Sequence, residues 1–123
     1  MRSAVGSAAA DICCVLLFVV IGRASHTQGE SVAGVAGTAW PFLAGLAVGW
    51  TAARAWRKPT ALLPSGVAAW LGTVAAGMVL RVLVGQGTAV AFILVALVFL
   101  GLFLLGWRIV ARWAARRANA LTR

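Results

Sequence analysis

The chain carries little with which to do chemistry. Its 123 residues include one histidine, two cysteines and two acidic residues. With His26 the only histidine, one copy of the chain cannot assemble a transition-metal cluster, and a metal site at an oligomer axis is open but unsupported. Cys13 and Cys14 are adjacent, so in a helix they point about 100° apart, which suits neither an easy disulfide nor a C-x-x-C redox pair. They are expected to be small buried packing residues. No glycine-rich phosphate loop follows a strand, and no Ser/His/Asp set falls in one aqueous compartment. No metal, cofactor or catalytic residue is therefore expected, and an enzyme, even one acting on lipid, ranks last among the function classes.

Charge is scarce as well. Only 11% of the residues are charged against 63% hydrophobic, too little polar surface to cover a water-soluble globule. The natural solvent is lipid. A hydrocarbon core about 30 Å thick takes roughly 20 helical residues to cross, and the chain offers four such runs between polar or Pro/Gly-marked breaks. They fall at residues 4–22, 33–53, 64–84 and 88–110, followed by a basic tail at 111–123. Strand-type alternation is absent, and a segment in lipid must satisfy its own backbone, which excludes a barrel. The expected fold is all-α: a polytopic membrane protein with four transmembrane helices in a bundle, forming a single domain over residues 1–123. Arg2 ahead of the apolar residues 12–21 raises a cleaved signal peptide, but Asp11 interrupts the region and Gly22-Arg23-Ala24 is a poor cleavage site. The segment is expected to stay.

The formal charge of +9 is placed unevenly. Arg54, Arg57 and Lys58 fill the second gap, and Arg108, Arg112, Arg116, Arg117 and Arg123 close the chain, whereas the first gap holds only Arg23 and His26. The positive-inside rule puts the basic regions and both termini in the cytoplasm, an N-in/C-in topology across a prokaryotic plasma (inner) membrane. So one-sided a bias argues against insertion in both directions. The lipid bilayer is the first partner, with anionic headgroups at the basic tail. Nucleic acid is not expected, since stacking aromatics and a basic soluble domain are both missing.

Helix faces say more than motifs. Ala33, Gly37, Pro41, Gly45, Gly49 and Ala53 recur every four residues, a ridge with almost no side-chain bulk. Gly45 and Gly49 form a GxxxG pair within it, and such faces associate by backbone contact and dispersion. The third segment answers with Ala68, Gly72 and Ala76 on one line and Ala69, Thr73 and Gly77 on the next, so a tight pairing of the two helices is expected. That packing belongs inside one monomer, with a homo-oligomer face as the alternative. Trp56, Trp107 and Trp113 sit where interface anchors belong. Trp50 and Trp70 lie deeper and are expected to pack in the interior. Pro41 either kinks the second helix or marks its start, in which case residues 31–39 form a loop.

Ionisable residues inside a span are the best functional clue, because burying one costs roughly 2.5–3.5 kcal/mol on insertion scales. Asp11 lies about two turns into the first segment, with Ser7 and Ser3 on its face. It is either a carboxylate held by hydroxyls, a tryptophan or a neighbouring helix, or a protonatable group in a water-accessible cavity. Arg81 lies about one turn inside the third segment, where it can snorkel. The two differ in depth by about 10–15 Å, so Glu30 or backbone carbonyls are better partners for Arg81 than Asp11 is. Arg23 and His26 could bind an anion or lipid headgroup, or form a solvated edge.

The run from Asp11-Ile12-Cys13-Cys14 to Gly22-Arg23, with His26, resembles the opening of the bacterial and archaeal DUF3054 membrane proteins. Trp40-Pro41-Phe42, Gly49-Trp50, residues 64–70 and Gly77-Met78 with Arg81 continue the likeness over almost the whole chain. The resemblance implies no activity, the family being uncharacterised, and marks Asp11, Arg23, His26 and Arg81 as the polar positions to test. Two function classes then compete: a small accessory or structural subunit, homo-oligomeric or within a larger membrane complex, and a minimal proton-coupled transporter or channel using Asp11. The transporter reading rests on architectural analogy.

Overall fold

The computed structural model describes residues 2–25, 32–86 and 90–121 of the chain. Four helices make up nearly all of it: α1 (Arg2–Ser25), α2 (Val32–Ala53), α3 (Val67–Leu83) and α4 (Val90–Leu121). A 3-10 turn at Ala55–Arg57 and an irregular turn at Leu62–Gly66 join α2 to α3, and no strand occurs among the described residues. Counting the turn ahead of α3, all four helices are long and apolar enough to cross a membrane. The molecule is a multi-pass four-helix membrane protein. Helices close their backbone hydrogen bonds within one segment, the requirement that lipid imposes on any chain crossing it.

Each helix packs on its neighbours in the order α1, α2, α3, α4 and back to α1. The end carrying the α2–α3 connection is here the basic end, since Arg54, Arg57 and Lys58 are exposed there, as are Arg112, Arg116 and Arg117 on the last turns of α4. The far end holds the close of α1 and the α3–α4 connection. Residues 111–121, expected to be part of a tail, instead continue α4. Nothing after Gly106 breaks the helix, and the Ala, Arg and Leu content favours it. At about 1.5 Å per residue the 32 residues of α4 outrun a hydrocarbon core about 30 Å thick, so its final turns project beyond lipid.

The closest approach is between α2 and α3. A Cβ on Gly45 would stand 2.7 Å from the Gly72 carbonyl oxygen and 2.9 Å from that of Thr73, and one on Gly49 would collide with the carbonyl of Ala68. Gly72 and Gly77 complete the contact: a Cβ on Gly72 would meet the Gly49 Cα at 2.7 Å, and one on Gly77 would meet the Phe42 ring at 2.8 Å. The small-residue ridge thus brings two backbones together. Gly37 is a departure from the expected ridge, because a Cβ there would meet nothing within 4 Å. The ridge clasps α3 over its second half and leaves a gap over its first.

Pro41 lies inside a helix that begins at Val32, so residues 32–39 are helical and form no loop. A proline has no N–H to offer the carbonyl four residues back, here that of Gly37. Gln86 Nε2 donates to that oxygen at 3.2 Å. Gln86 is delivered by the way α3 ends: Gly85 takes φ +80°, its N–H bonds to Val82 O at 3.1 Å, and the N–H of Gln86 bonds to Arg81 O at 2.7 Å. That is a Schellman motif, and its positive φ is the reason for glycine at 85.

The core follows from these contacts. Phe18, Phe42 and Phe92 from α1, α2 and α4 cluster with ring centroids 5.6–6.1 Å apart. Trp70 lies over Gly101 and donates its indole N–H to Leu97 O at 2.9 Å, tying α3 to α4. The cysteines depart from expectation, Cys13 being exposed and Cys14 half-buried. One helix face cannot bury both.

Candidate functional site

Asp11 is completely buried, and the group facing it is Arg108, also completely buried. The guanidinium grips the carboxylate in fork geometry, Nη1 to Oδ1 and Nη2 to Oδ2, each at 2.8 Å. Two indoles fill the remaining acceptor positions: Trp50 Nε1 donates to Oδ2 at 2.7 Å and Trp107 Nε1 to Oδ1 at 2.8 Å. Four donated hydrogen bonds match the roughly four lone-pair sites of a carboxylate. Arg108 also donates from Nε to Pro59 O at 3.0 Å and from Nη1 to Leu104 O at 3.0 Å. Its guanidinium carbon lies 4.6 Å from the Trp107 ring centre.

Each partner is placed by its element. Ser7, Asp11, Val15, Phe18 and Val19 form the buried stripe of α1, and Ala96, Leu100, Leu104 and Arg108 recur every four residues as that of α4. Pro59 belongs to the α2–α3 connection, which is folded back by hydrogen bonds from Ser65 Oγ to Lys58 O at 2.5 Å and from the Gly66 N–H to Ala61 O at 2.9 Å. The carboxylate therefore joins α1, α2, α4 and this connection at one point. Bidentate charge-assisted bonds between fully buried groups are directional and strong, and removing either partner leaves the other uncompensated.

Sequence reasoning singled out Asp11 and missed Arg108. Arg108 sits at the close of an apolar run beside tail bases, which made it look like headgroup charge. Its register with Ala96, Leu100 and Leu104 was the available signal. Trp107, expected among the interface anchors, turns its N–H inward to Asp11, while Trp56 and Trp113 are exposed near the basic end. Arg117 lies over the Trp113 ring, 5.2 Å from its centre. Trp50, expected to pack, is a ligand of the carboxylate.

The far end is built differently. Arg23 Nη1 donates to Thr38 Oγ1 at 2.9 Å. Arg81 Nη1 donates to Gln86 Oε1 at 3.0 Å, and its guanidinium lies 4.6 Å from the Phe92 ring centre and 5.9 Å from that of Phe42. Both arginines line a cavity of about 800 Å³ to which α1, α2, α3 and α4 all contribute. Asp11 does not reach Arg81, because its carboxylate is engaged at the other end. His26 and Glu30 lie outside the described residues. Among the described residues no three of His, Cys, Asp or Glu stand close enough to hold a metal ion.

Gln86 carried no signal of its own in the sequence. Its role depends on Pro41, 45 residues earlier, a spacing that local pattern does not report.

Comparison with curated proteins and with solved structures returned no match. The family described as "Protein of unknown function (DUF3054)" matches residues 8–111, most of the chain, and the chain belongs to it.

Proposed function

We propose that this DUF3054 protein is a small integral-membrane structural or accessory subunit that works by packing, with further copies of itself or within a larger membrane complex, and that it is not an enzyme. The observation that carries this reading is the saturated Asp11 carboxylate, fully buried and holding four hydrogen bonds from Arg108, Trp50 and Trp107. A carboxyl that couples proton movement to a substrate needs water and a free lone pair at some point in its cycle. Giving up the bidentate pair with Arg108 would leave a buried group uncompensated, and breaking such a pair by removing one partner costs about 3–5 kcal/mol. That cost favours packing over the alternative, a minimal proton-coupled transporter or channel.

The distribution of bases supports an N-in/C-in orientation in the plasma (inner) membrane of a prokaryote. In that orientation the projecting turns of α4 present Arg112, Arg116 and Arg117 to anionic headgroups on the cytoplasmic side. A second cavity of about 300 Å³, between Thr60 and these turns, includes Arg112 and Arg116 in its lining.

The test is extraction of the full chain from its own membrane into nanodiscs, with a native mass and identification of what co-elutes. The expected result is a stoichiometric complex or a defined homo-oligomer, with Asp11→Asn changing assembly or thermal stability and leaving proton flux in proteoliposomes unaltered. A folded, normally assembled Asp11→Asn protein that has lost a proton-driven flux shown by wild type would overturn the reading.

A further inference from the structure

We propose that the cavity between Thr60 and the projecting turns of α4 seats the phosphate of one anionic lipid headgroup, gripped by Arg112 and Arg116 with the Thr60 hydroxyl as a further donor. This deepens the headgroup contact proposed above and rests on it, replacing the attraction of a charged surface with a site for a single lipid. The buried stripe of α4, Ala96, Leu100, Leu104 and Arg108, continues at the same spacing with Arg112 and Arg116. The helix face that fills the bundle therefore emerges beyond it. There the α2–α3 connection closes the space beside that face. Residues 58–61 form a turn held by the Ala61 N–H on Lys58 O at 3.1 Å, and the Pro59 carbonyl is fixed by Arg108 Nε, which sets Thr60 on the cavity wall. Ala111 and Ala115 in the lining supply the room. At about 300 Å³ the cavity stands at the small end of the roughly 300–1,000 Å³ typical of ligand sites, a size for a headgroup rather than a whole lipid.

Both guanidiniums are available to it. Arg108 is committed to Asp11 and Arg117 lies over the Trp113 ring, whereas Arg112, Arg116 and the Thr60 hydroxyl make no hydrogen bond, ion pair or ring contact among the described residues. Asp11 is the one acidic side chain among the described residues, and it is fully buried, so no carboxylate there neutralises the pair. Side chains four apart on a helix have Cβ atoms about 5–6 Å apart, close enough for two guanidinium forks to share one phosphate. Depth points to lipid as the source of that phosphate. Ile109 and Val110 are exposed apolar residues, and the exposed Trp113 follows where an interface aromatic belongs. At about 1.5 Å per residue Arg112 lies about 3 Å and Arg116 about 9 Å beyond Val110, while headgroups add about 5–7 Å on each side of the hydrocarbon. Helix side chains lean toward the N-terminus, here back toward the bilayer, which draws Arg116 into that layer.

The test uses the purified full chain in neutral-detergent micelles doped with equal mole fractions of phosphatidylglycerol and phosphatidylcholine, with and without inorganic phosphate, and reads retained lipid by native mass spectrometry. One phosphatidylglycerol per chain is expected, preferred over phosphatidylcholine by about tenfold or more, since two arginines act on one anionic headgroup. Arg112→Gln with Arg116→Gln should abolish that preference. Ala115→Leu keeps every charge and fills the cavity, so it should abolish it too. Arg57→Gln with Lys58→Gln removes the same charge from the same end of the molecule and should leave the preference in place. All five positions are exposed, so the fold should survive each change. A preference lowered equally by the two pairs of substitutions, or one untouched by Ala115→Leu, would overturn the site and leave only the general attraction of headgroups. No preference in the wild-type chain would overturn that attraction as well. Loss of the lipid to inorganic phosphate, with a phosphate adduct in its place, would overturn the lipid assignment in favour of a soluble anion.

Discussion

Arg108 and Arg81 each lie near the limit of an apolar helix, at opposite ends of the same bundle, and their surroundings differ in kind. Arg108 meets a carboxylate in bidentate geometry, two indoles and two backbone carbonyls, with no exposure. Arg81 is only partly buried, on the wall of a cavity, where its contacts include a glutamine and two phenylalanine faces. The small-residue ridge of α2 divides the same way: Gly45 and Gly49 are pressed against the α3 backbone, and Gly37 opens on space. One end is closed by complementary charge and backbone contact, and the other is held open by glycine. Depth along a helix does not decide what an intramembrane arginine does; the groups facing it do.

The strongest way to break this contrast is to remove each arginine in turn. Arg108→Ala should cost about 3–5 kcal/mol, because it leaves Asp11 buried without its counter-charge, and Asp11→Leu with Arg108→Met should recover most of that loss. Arg81→Ala should cost less, because Arg81 is only partly buried. Equal losses in detergent unfolding curves would show that the two ends are not distinct in the way described.

A smaller effect, of opposite sign at the two ends, should come from single methyl groups. Gly49→Ala drives a Cβ into the Ala68 carbonyl and should destabilise by about 1–3 kcal/mol, the usual cost of overpacking. Gly37→Ala meets no obstacle and should stabilise the helix by roughly 0.5–1 kcal/mol. Thermal unfolding of the two variants side by side reads the sign directly.

The smallest effect concerns the carbonyl freed by Pro41. Gln86→Ala should cost about 0.6 kcal/mol, near the average for a side-chain hydrogen bond in a membrane protein. Most of that cost should disappear in a Pro41→Ala background, where the new N–H can take the Gly37 carbonyl. A double-mutant cycle measures the coupling, and additivity of the two changes would remove Gln86 from this role.

Asp11 could be picked out beforehand because a carboxylate within an apolar run has no inexpensive explanation. Its partner could not, because Arg108 is 97 residues away and resembles the bases that follow it. The clasp between Gly45, Gly49 and the third segment was legible from spacing alone, since residues four apart share a helix face. The loss of Gly37 from that clasp was not, because spacing records which residues share a face and not where the neighbouring helix diverges. Likewise Trp107 carried the composition of an anchor, and only the rotation of α4 turns its N–H inward.

What the chain determined by itself is the part that lipid dictates: four apolar helices long enough to cross it, and the crowding of bases toward one end. Those follow from hydrocarbon thickness and from the obligation of every backbone group to find a partner within its own segment. The tertiary structure alone decided which residues meet. The Asp11 and Arg108 pair, the service of Gln86 to the Gly37 carbonyl and the split of one glycine ridge into a clasp and a cavity each depend on the relative rotation and depth of separate helices, set by packing among many side chains at once.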